Sequence, residues 1–303
     1  MRGIFFAFFW MMSKEKHAIL FSRNTSQHLA KEKNNLNASN PIGIFDSGIG
    51  GLTVASAITK LLPSEKLIYF GDIAHLPYGD KSADSIKYYG IRIAQFLLEQ
   101  HCKIIVIACN TASAQAFETI KDFVGNKALV LNVIDPVVKV VAESEKTSHV
   151  GVIATKGTIR SDIYAKKITA LRKDIKVSSL ATPLLVSMIE EGFFNNKISR
   201  AVINSYLERP KLKKIDSLIL ACTHFPLIKP EIEEYYKNKM TIIDSAGVVA
   251  ADVAATLSKH KLQTPLKNPK HHFYVSDYTD SFEKSTQFFF KGKITLEKAD
   301  IWK

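Results

Sequence analysis

The sequence predicts an α/β protein of two similar, pseudo-symmetric lobes, each a mostly parallel sheet flanked by helices, and three observations carry that prediction. Short, continuously apolar runs alternate with stretches of helical length. One ordered set of features occurs twice along the chain. In each copy, one apolar run ends in a cysteine. Continuous apolar strands separated by helices are the signature of a parallel sheet covered on both faces, because crossover helices hide both sides from water.

The elements follow in order. An apolar run at 42–45 ends in Asp46-Ser47-Gly48-Ile49-Gly50-Gly51 and is followed by a helical pattern over 52–62. Further strand-like runs lie at 67–70, 104–108, 128–133, 150–154, 217–221 and 240–243, with a second clear helical pattern over 112–123. The repeat is the stronger signal. Ile42-Gly43-Ile44-Phe45 is echoed by Val150-Gly151-Val152-Ile153, and Ile107-Ala108-Cys109 by Leu220-Ala221-Cys222. Val133-Ile134-Asp135 is echoed by Ile242-Ile243-Asp244. Gly43 to Gly151 spans 108 residues, Cys109 to Cys222 spans 113, and Asp135 to Asp244 spans 109. The expected division is a first lobe at 41–136 plus 246–303, carrying Cys109, and a second at 137–245, carrying Cys222. The active site is expected in the cleft between them.

Composition narrows the class. The 303 residues are 46% hydrophobic and 23% charged, which suits a globular chain with a sizeable core. The formal charge of +12 is spread along the chain, with no run of five basic residues and no nucleic-acid-binding motif, so nucleic acid is not the expected partner. Three cysteines make no disulfide framework and point to a reducing compartment. Six residues separate Cys102 from Cys109, which is not metal-ligand spacing, and no H-E-x-x-H helix occurs, so no metal is expected.

The first 40 residues differ from the rest. A nine-residue apolar run at 4–12 is too short to span a membrane, and no small-residue cleavage site follows it cleanly. The stretch after it is rich in Lys, Asn, Ser and Gln, and the segment holds six Lys/Arg against two Glu. Residues 1–40 are expected to be a disordered leader, or the product of a start placed too far upstream.

In an open parallel sheet, ligands collect beyond the carboxyl ends of the strands, beside helix N-termini. Both Cys109 and Cys222 fall there. A helix N-terminus lowers a thiol pKa, and its free N–H groups bind carboxylates. Thr223 is placed to cap a helix or turn, and Pro226 suits first-turn positions. A single buried cysteine is usually a small hydrophobe, and Cys102 reads that way. Two cysteines at equivalent points of facing lobes flank a bound molecule, as two-base stereoinversion requires. The glycines after Asp46 fail as a dinucleotide fingerprint, since the third would fall at Thr53. They instead let backbone N–H groups approach a small anion, and Thr155-Lys156-Gly157-Thr158 is the second lobe's counterpart, with threonines suited to a carboxylate.

From Pro41 onward the sequence resembles the glutamate racemase family. The residues that carry the resemblance are Gly43-Ile44-Phe45-Asp46-Ser47-Gly48-Ile49-Gly50-Gly51, Leu76-Pro77-Tyr78-Gly79, Ala108-Cys109-Asn110-Thr111-Ala112 and Ala221-Cys222-Thr223-His224. The two cysteine motifs belong equally to the wider aspartate/glutamate racemase superfamily, while the Asp46 and Tyr78 loops resemble glutamate racemase specifically. The resemblance implies cofactor-independent interconversion of L- and D-glutamate, with Cys109 and Cys222 as proton donor and acceptor and no metal. It implies that Asp46, Ser47, Tyr78, Gly79, Asn110, Thr111, Thr223 and His224 contact the substrate, with Asp46 tuning Cys109 and His224 tuning Cys222. A family glutamate before a glycine turn matches Glu190, with Glu191 beside it. The family implies a cytoplasmic enzyme supplying D-glutamate to peptidoglycan synthesis, with no membrane partner and a possible homodimer.

Two other readings stand beside this one. A related racemase acting on aspartate differs by one methylene of substrate, which a pocket discriminates by only about 1–3 kcal/mol. A two-lobed solute-binding protein, exported by the apolar run at 4–12, would suit the lobes and leave the paired cysteines unexplained.

Overall fold

The computed structural model describes residues 36–290, 292 and 294–303. Most of the expected leader lies outside the described residues. Within it, residues 37–40 form a turn closed by Asn40 N–H donating to the Asn37 carbonyl at 3.0 Å. The Ala38 carbonyl accepts from Lys103 Nζ at 2.6 Å, so contacts with the core begin upstream of Pro41.

The first sheet is built outward from β1 (Ile42–Asp46), which is buried along its whole length. β2 (Leu67–Gly71) pairs with one edge of β1, and β3 (Ile104–Ile107) with the other. β4 (Leu129–Asn132) extends the sheet beyond β3. Between them run α1 (Leu52–Leu61), α2 (Ala83–Glu99) and α3 (Asn110–Val124), and α4 (Ile134–Glu143) leads out of the lobe. The first three strands are wholly buried, as the absence of polar/apolar alternation in their sequences requires. Each fully buried Ile, Leu or Phe contributes about 1.5–3 kcal/mol, so Ile44→Asp at the centre of β1 would break the lobe.

The second sheet repeats the plan. β5 (His149–Ala154) sits between β6 (Lys176–Ala181) and β7 (Ser217–Ala221), and β8 (Thr241–Asp244) extends beyond β7. The orders β2-β1-β3-β4 and β6-β5-β7-β8 are equivalent, and every pairing among the described strands is parallel. Helices α5 (Lys156–Ser161), α6 (Ile163–Leu171), α7 (Pro183–Glu190), α8 (Lys197–Leu207) and α9 (Lys229–Tyr235) belong to this half. α10 (Ser245–Lys259) then packs against α1 and α4. The chain rejoins the first sheet as β9 (His272–Val275) beside β2 and β10 (Leu296–Lys298) beside β9, with α11 (Asp280–Phe289) between them.

Three strands are absent from the sequence reading, each for a physical reason. Ser178 and Ser179 interrupt the apolar run of β6, which is only half-buried. β9 and β10 are short strands at one side of the sheet, β10 forming its edge, and both have few buried residues. The third pair of the repeat is also corrected. Ile107 pairs with Asn132 and Leu220 with Asp244, so Asn132, not Asp135, is the counterpart of Asp244. Asn132 ends β4 and caps α4, accepting from the backbone N–H groups of Ile134 and Asp135 at 2.9 Å each.

Candidate active site

Cys109 closes the connection from β3 into α3. Its sulfur takes the N-cap position, with Ala112 N–H 3.5 Å away, and its thiol lies 3.7 Å from Ser47 Oγ. Burial pushes this thiol up to about 12, the Asp46 carboxylate pushes the same way, and the Ala112 N–H and Ser47 hydroxyl only partly oppose them. The helix N-terminus is present as expected, but its effect on the thiol loses to desolvation.

Cys222 follows the equivalent strand β7, and of the helix or turn expected after it the structure forms the turn, with Pro226 in its first positions. No α-helix starts at Thr223. A 3-10 turn over Phe225–Ile228 intervenes, and α9 begins at Lys229. Pro226 and Pro230 are four apart, so one continuous helix would lose the N–H of residue 230 and clash with the carbonyl of 226. In place of a helix N-terminus, Cys222 has His224, whose Nδ1 lies 3.7 Å from the sulfur. His224 Nε2 meets Glu190 Oε1 at 3.0 Å, and Phe289 of α11 packs edge-on against the imidazole. Burial pulls this imidazole down, but its hydrogen bonds to Cys222 and Glu190 outweigh that and hold its pKa at about 10.

Asp46, fully buried at the end of β1, does not line the cavity. It folds the loop beneath it, with Oδ2 accepting from Gly51 N–H at 3.0 Å and Gly48 N–H at 3.3 Å. Burial raises its pKa, against the charge of His224 and the N–H groups of Gly51, Gly48 and Ser47. Two glycines allow this packing. A Cβ on Gly50 would sit 2.4 Å from the His224 ring, and one on Gly51 would sit 2.5 Å from Asp46 Cβ.

Between the two sheets lies a cavity of about 220 Å³. Ser47, Tyr78, Gly79, Cys109, Asn110 and Thr111 line it from the first lobe, and Glu190, Cys222, Thr223 and His224 from the second. The two thiols therefore share one chamber. Glu190, not its neighbour Glu191, faces it. Tyr78 presents its ring, since its hydroxyl is tied to buried Asp72 Oδ2 at 2.7 Å. Hydroxyls link the lobes across the cavity wall, Thr111 Oγ1 lying 2.9 Å from Thr155 Oγ1 and 3.1 Å from Thr158 Oγ1. Thr53 Oγ1 donates to the Thr223 carbonyl at 3.0 Å on the other side. Cys102 lies elsewhere, buried against Gly43, where burial pushes its thiol up to about 12. Among the described residues no group of three or more His, Cys, Asp or Glu is placed to hold a metal ion. Among the same residues, no helix is long and apolar enough to cross a membrane.

Residues 52–253 match the family model described as Asp/Glu/Hydantoin racemase. The glutamate racemase of Geobacter metallireducens is 41% identical over 254 residues, covering 84% of this chain and 93% of that protein. The glutamate racemase of Neisseria meningitidis is 42% identical over 244 residues, covering 80% and 90%. The crystal structure of glutamate racemase from Francisella tularensis in complex with D-glutamate superposes with a TM-score of 0.82 at 39% identity, covering 88% of this chain and 99% of that one. The chain belongs to the glutamate racemases. The membership makes it an amino-acid racemase, and the two-lobed α/β architecture agrees with the solved structures of the family.

Several residues of this racemase chamber were not singled out from the sequence. Thr182, Pro183 and Val186 line it from the end of β6 and the start of α7. The register shows where to look. Gly71 pairs with Asp46 and is followed by Asp72; Ala181 pairs with Ala154 and is followed by Thr182. Asp72 and Thr182 are thus equivalent, and both are fully buried. The internal repeat, carried one strand further, would have found both. Lys156 of the Thr155 loop also lines the chamber and pairs with Asp80 across it at 3.5 Å.

Proposed function

We propose that Cys109 and Cys222 racemise glutamate as opposed acid and base, without a cofactor taking part in the proton transfers. The observation that carries this reading is the placement of both sulfurs, from equivalent strand ends, on one 220 Å³ chamber. In one direction Cys222, with His224 beside it, removes the Cα proton, and Cys109 delivers its own proton to the opposite face of the carbanion. In the other direction Cys109 is the base and Cys222 the acid. The thiol of Cys109, pushed up to about 12 and so protonated at neutral pH, suits the donor role in the first case. His224 and Glu190 form a short relay that holds a proton next to Cys222. The Cα–H beside a carboxylate is a very weak acid, so fixed donors must stabilise the developing charge in this buried site. Ser47, Asn110, Thr111, Thr223 and the backbone of Tyr78 and Gly79 are the groups proposed to hold the substrate.

The test is direct. Purified protein under reducing conditions, with no added cofactor, is expected to convert each glutamate enantiomer into the other, monitored by circular dichroism. Aspartate is expected to turn over about 10–200-fold less efficiently, the discrimination one methylene supports. Failure to interconvert either enantiomer of glutamate would overturn the reading. Family resemblance supports three further proposals: supply of D-glutamate to peptidoglycan, a cytoplasmic location, and a homodimer, which sedimentation equilibrium would test. It also supports lobe boundaries near residues 136 and 245, with the C-terminal segment returned to the first lobe.

A further inference from the structure

Asn110 is the first residue of α3, buried and facing the chamber. Its Oδ1 accepts a hydrogen bond from the Tyr164 hydroxyl at 2.7 Å. Its Nδ2 is buried and has no partner among the described residues. Tyr164 comes from the other lobe, on α6, and is itself only 3% exposed. Its hydroxyl has no hydrogen-bond partner besides Asn110 among the described residues.

These facts fix which way the amide points. With the amide turned over, Nδ2 would donate to the phenol oxygen and the buried phenolic proton would be left without an acceptor. A buried O–H in that state costs more than the bond it would otherwise make is worth. Burial first, and the neighbouring Cys222 and Asp135 second, push the phenol's pKa up, so its proton is always present to donate. The Oδ1 is therefore spent on Tyr164, and both N–H donors of Asn110 are left for a ligand in the chamber.

We propose that Tyr164 is a positioning residue: reaching across from the second lobe, it locks the Asn110 amide with its donors facing the chamber, where they take a carboxylate oxygen of the bound amino acid. The lock also gives polarity. Locked donors accept a carboxylate and refuse an ammonium group, so they fix which end of a zwitterion sits beside Cys109. The proposal rests on the reading of this chamber as the racemisation site.

Three variants test it by steady-state kinetics and by calorimetry with D-glutamate. Tyr164→Phe removes the lock and is expected to raise KM for both enantiomers about tenfold, with kcat falling less than about threefold, the size of one lost buried hydrogen bond. In an Asn110→Ala background the same substitution has nothing left to lock, so the double variant is expected to bind no more weakly than Asn110→Ala alone. Asn110→Asp keeps the bond to Tyr164 and replaces the donors with an oxygen, so it is expected to bind glutamate more weakly than Asn110→Ala does. An unchanged KM in Tyr164→Phe, multiplicative losses in the double variant, or tighter binding by Asn110→Asp than by Asn110→Ala would each overturn the lock. The Asn110 pair decides the matter even if Tyr164→Phe does not fold. If the wild type binds D-glutamate without turning it over, the racemase reading fails, while the order of the dissociation constants still decides the lock.

Discussion

Cys109 and Cys222 end the same strand of two similar sheets, yet their surroundings are opposite. Cys109 has an α-helix N-terminus, a serine hydroxyl and, behind the loop, a buried carboxylate. Cys222 has a 3-10 turn and an imidazole tied to Glu190. The residue after each cysteine is held by the opposite lobe, Asn110 by Tyr164 and Thr223 by Asp46 at 3.5 Å. The frame is symmetric and the charges are not. A symmetric frame brings two thiols to one chamber, and unlike neighbours surround them.

The same contrast recurs at the far end of these strands. Lys103, just before β3, is fully buried and pairs with Glu65 at 2.6 Å while donating to the carbonyls of Ala38 and Leu262. Its counterpart before β7 is Asp216, which accepts from Ser148 N–H at 2.7 Å and His149 N–H at 2.9 Å. A lysine gathers carbonyls in one lobe, and an aspartate gathers amides in the other.

The largest expected effect comes from making the thiols unequal by deletion. Cys109→Ala or Cys222→Ala is expected to lower the racemisation rate by about 10²–10⁴-fold or more, the range for loss of a general acid or base, and to do so in both directions. Full rates in either variant would contradict the paired-thiol account. The next effect is on stability. Lys103→Met leaves Glu65 buried and unpaired and is expected to cost about 3–5 kcal/mol in urea unfolding. Asp216→Ala, in a more exposed setting, is expected to cost about 1–3 kcal/mol. Equal costs would show that burial does not separate the two ends.

Smaller effects sharpen the comparison of the two loops. Gly50→Ala drives a methyl into His224 and is expected to cost about 1–3 kcal/mol and much of the turnover, because the imidazole must leave Cys222. Gly157→Ala in the matching loop, where the nearest atom is a threonine methyl at 2.9 Å, is expected to be milder. The last test is a pH slope. His224 is held at about 10 when folded against roughly 6.5 when unfolded. Its contribution to stability is therefore complete below about pH 6.5 and is lost as pH rises through about 10. Wild type is expected to lose stability across that window more steeply than His224→Asn, and parallel curves would remove His224 as the cause.

Much of this was legible in the sequence because parallel strands are buried on both faces. Runs such as Ile104-Ile105-Val106-Ile107 announce themselves, and the repeat aligned Gly43 with Gly151 and Cys109 with Cys222 correctly. What failed was local. Ser178 and Ser179 hid β6, and a chance Ile-Asp match pulled the third repeat pair out of register, away from Asn132. The pairing of Asp46 with Cys109 and of His224 with Cys222 followed from the family resemblance, but the geometry of those surroundings was not legible. They depend on Asp46 turning under its own loop and on two prolines breaking the helix after Cys222, and Tyr164 reaches Asn110 only through the fold.

The central claim is that two thiols act from opposite faces of the substrate, and early-time isotope exchange tests it most directly. The enzyme is given L-glutamate in D2O, and the reaction is stopped at a few per cent conversion. Each enantiomer is then analysed for deuterium at Cα by mass spectrometry. Opposed thiols predict D-glutamate carrying solvent deuterium while the remaining L-glutamate stays unlabelled, with the mirror result from D-glutamate. Product that retains the original proton, or label appearing equally in product and recovered substrate, would mean that one group serves both faces and would contradict the account.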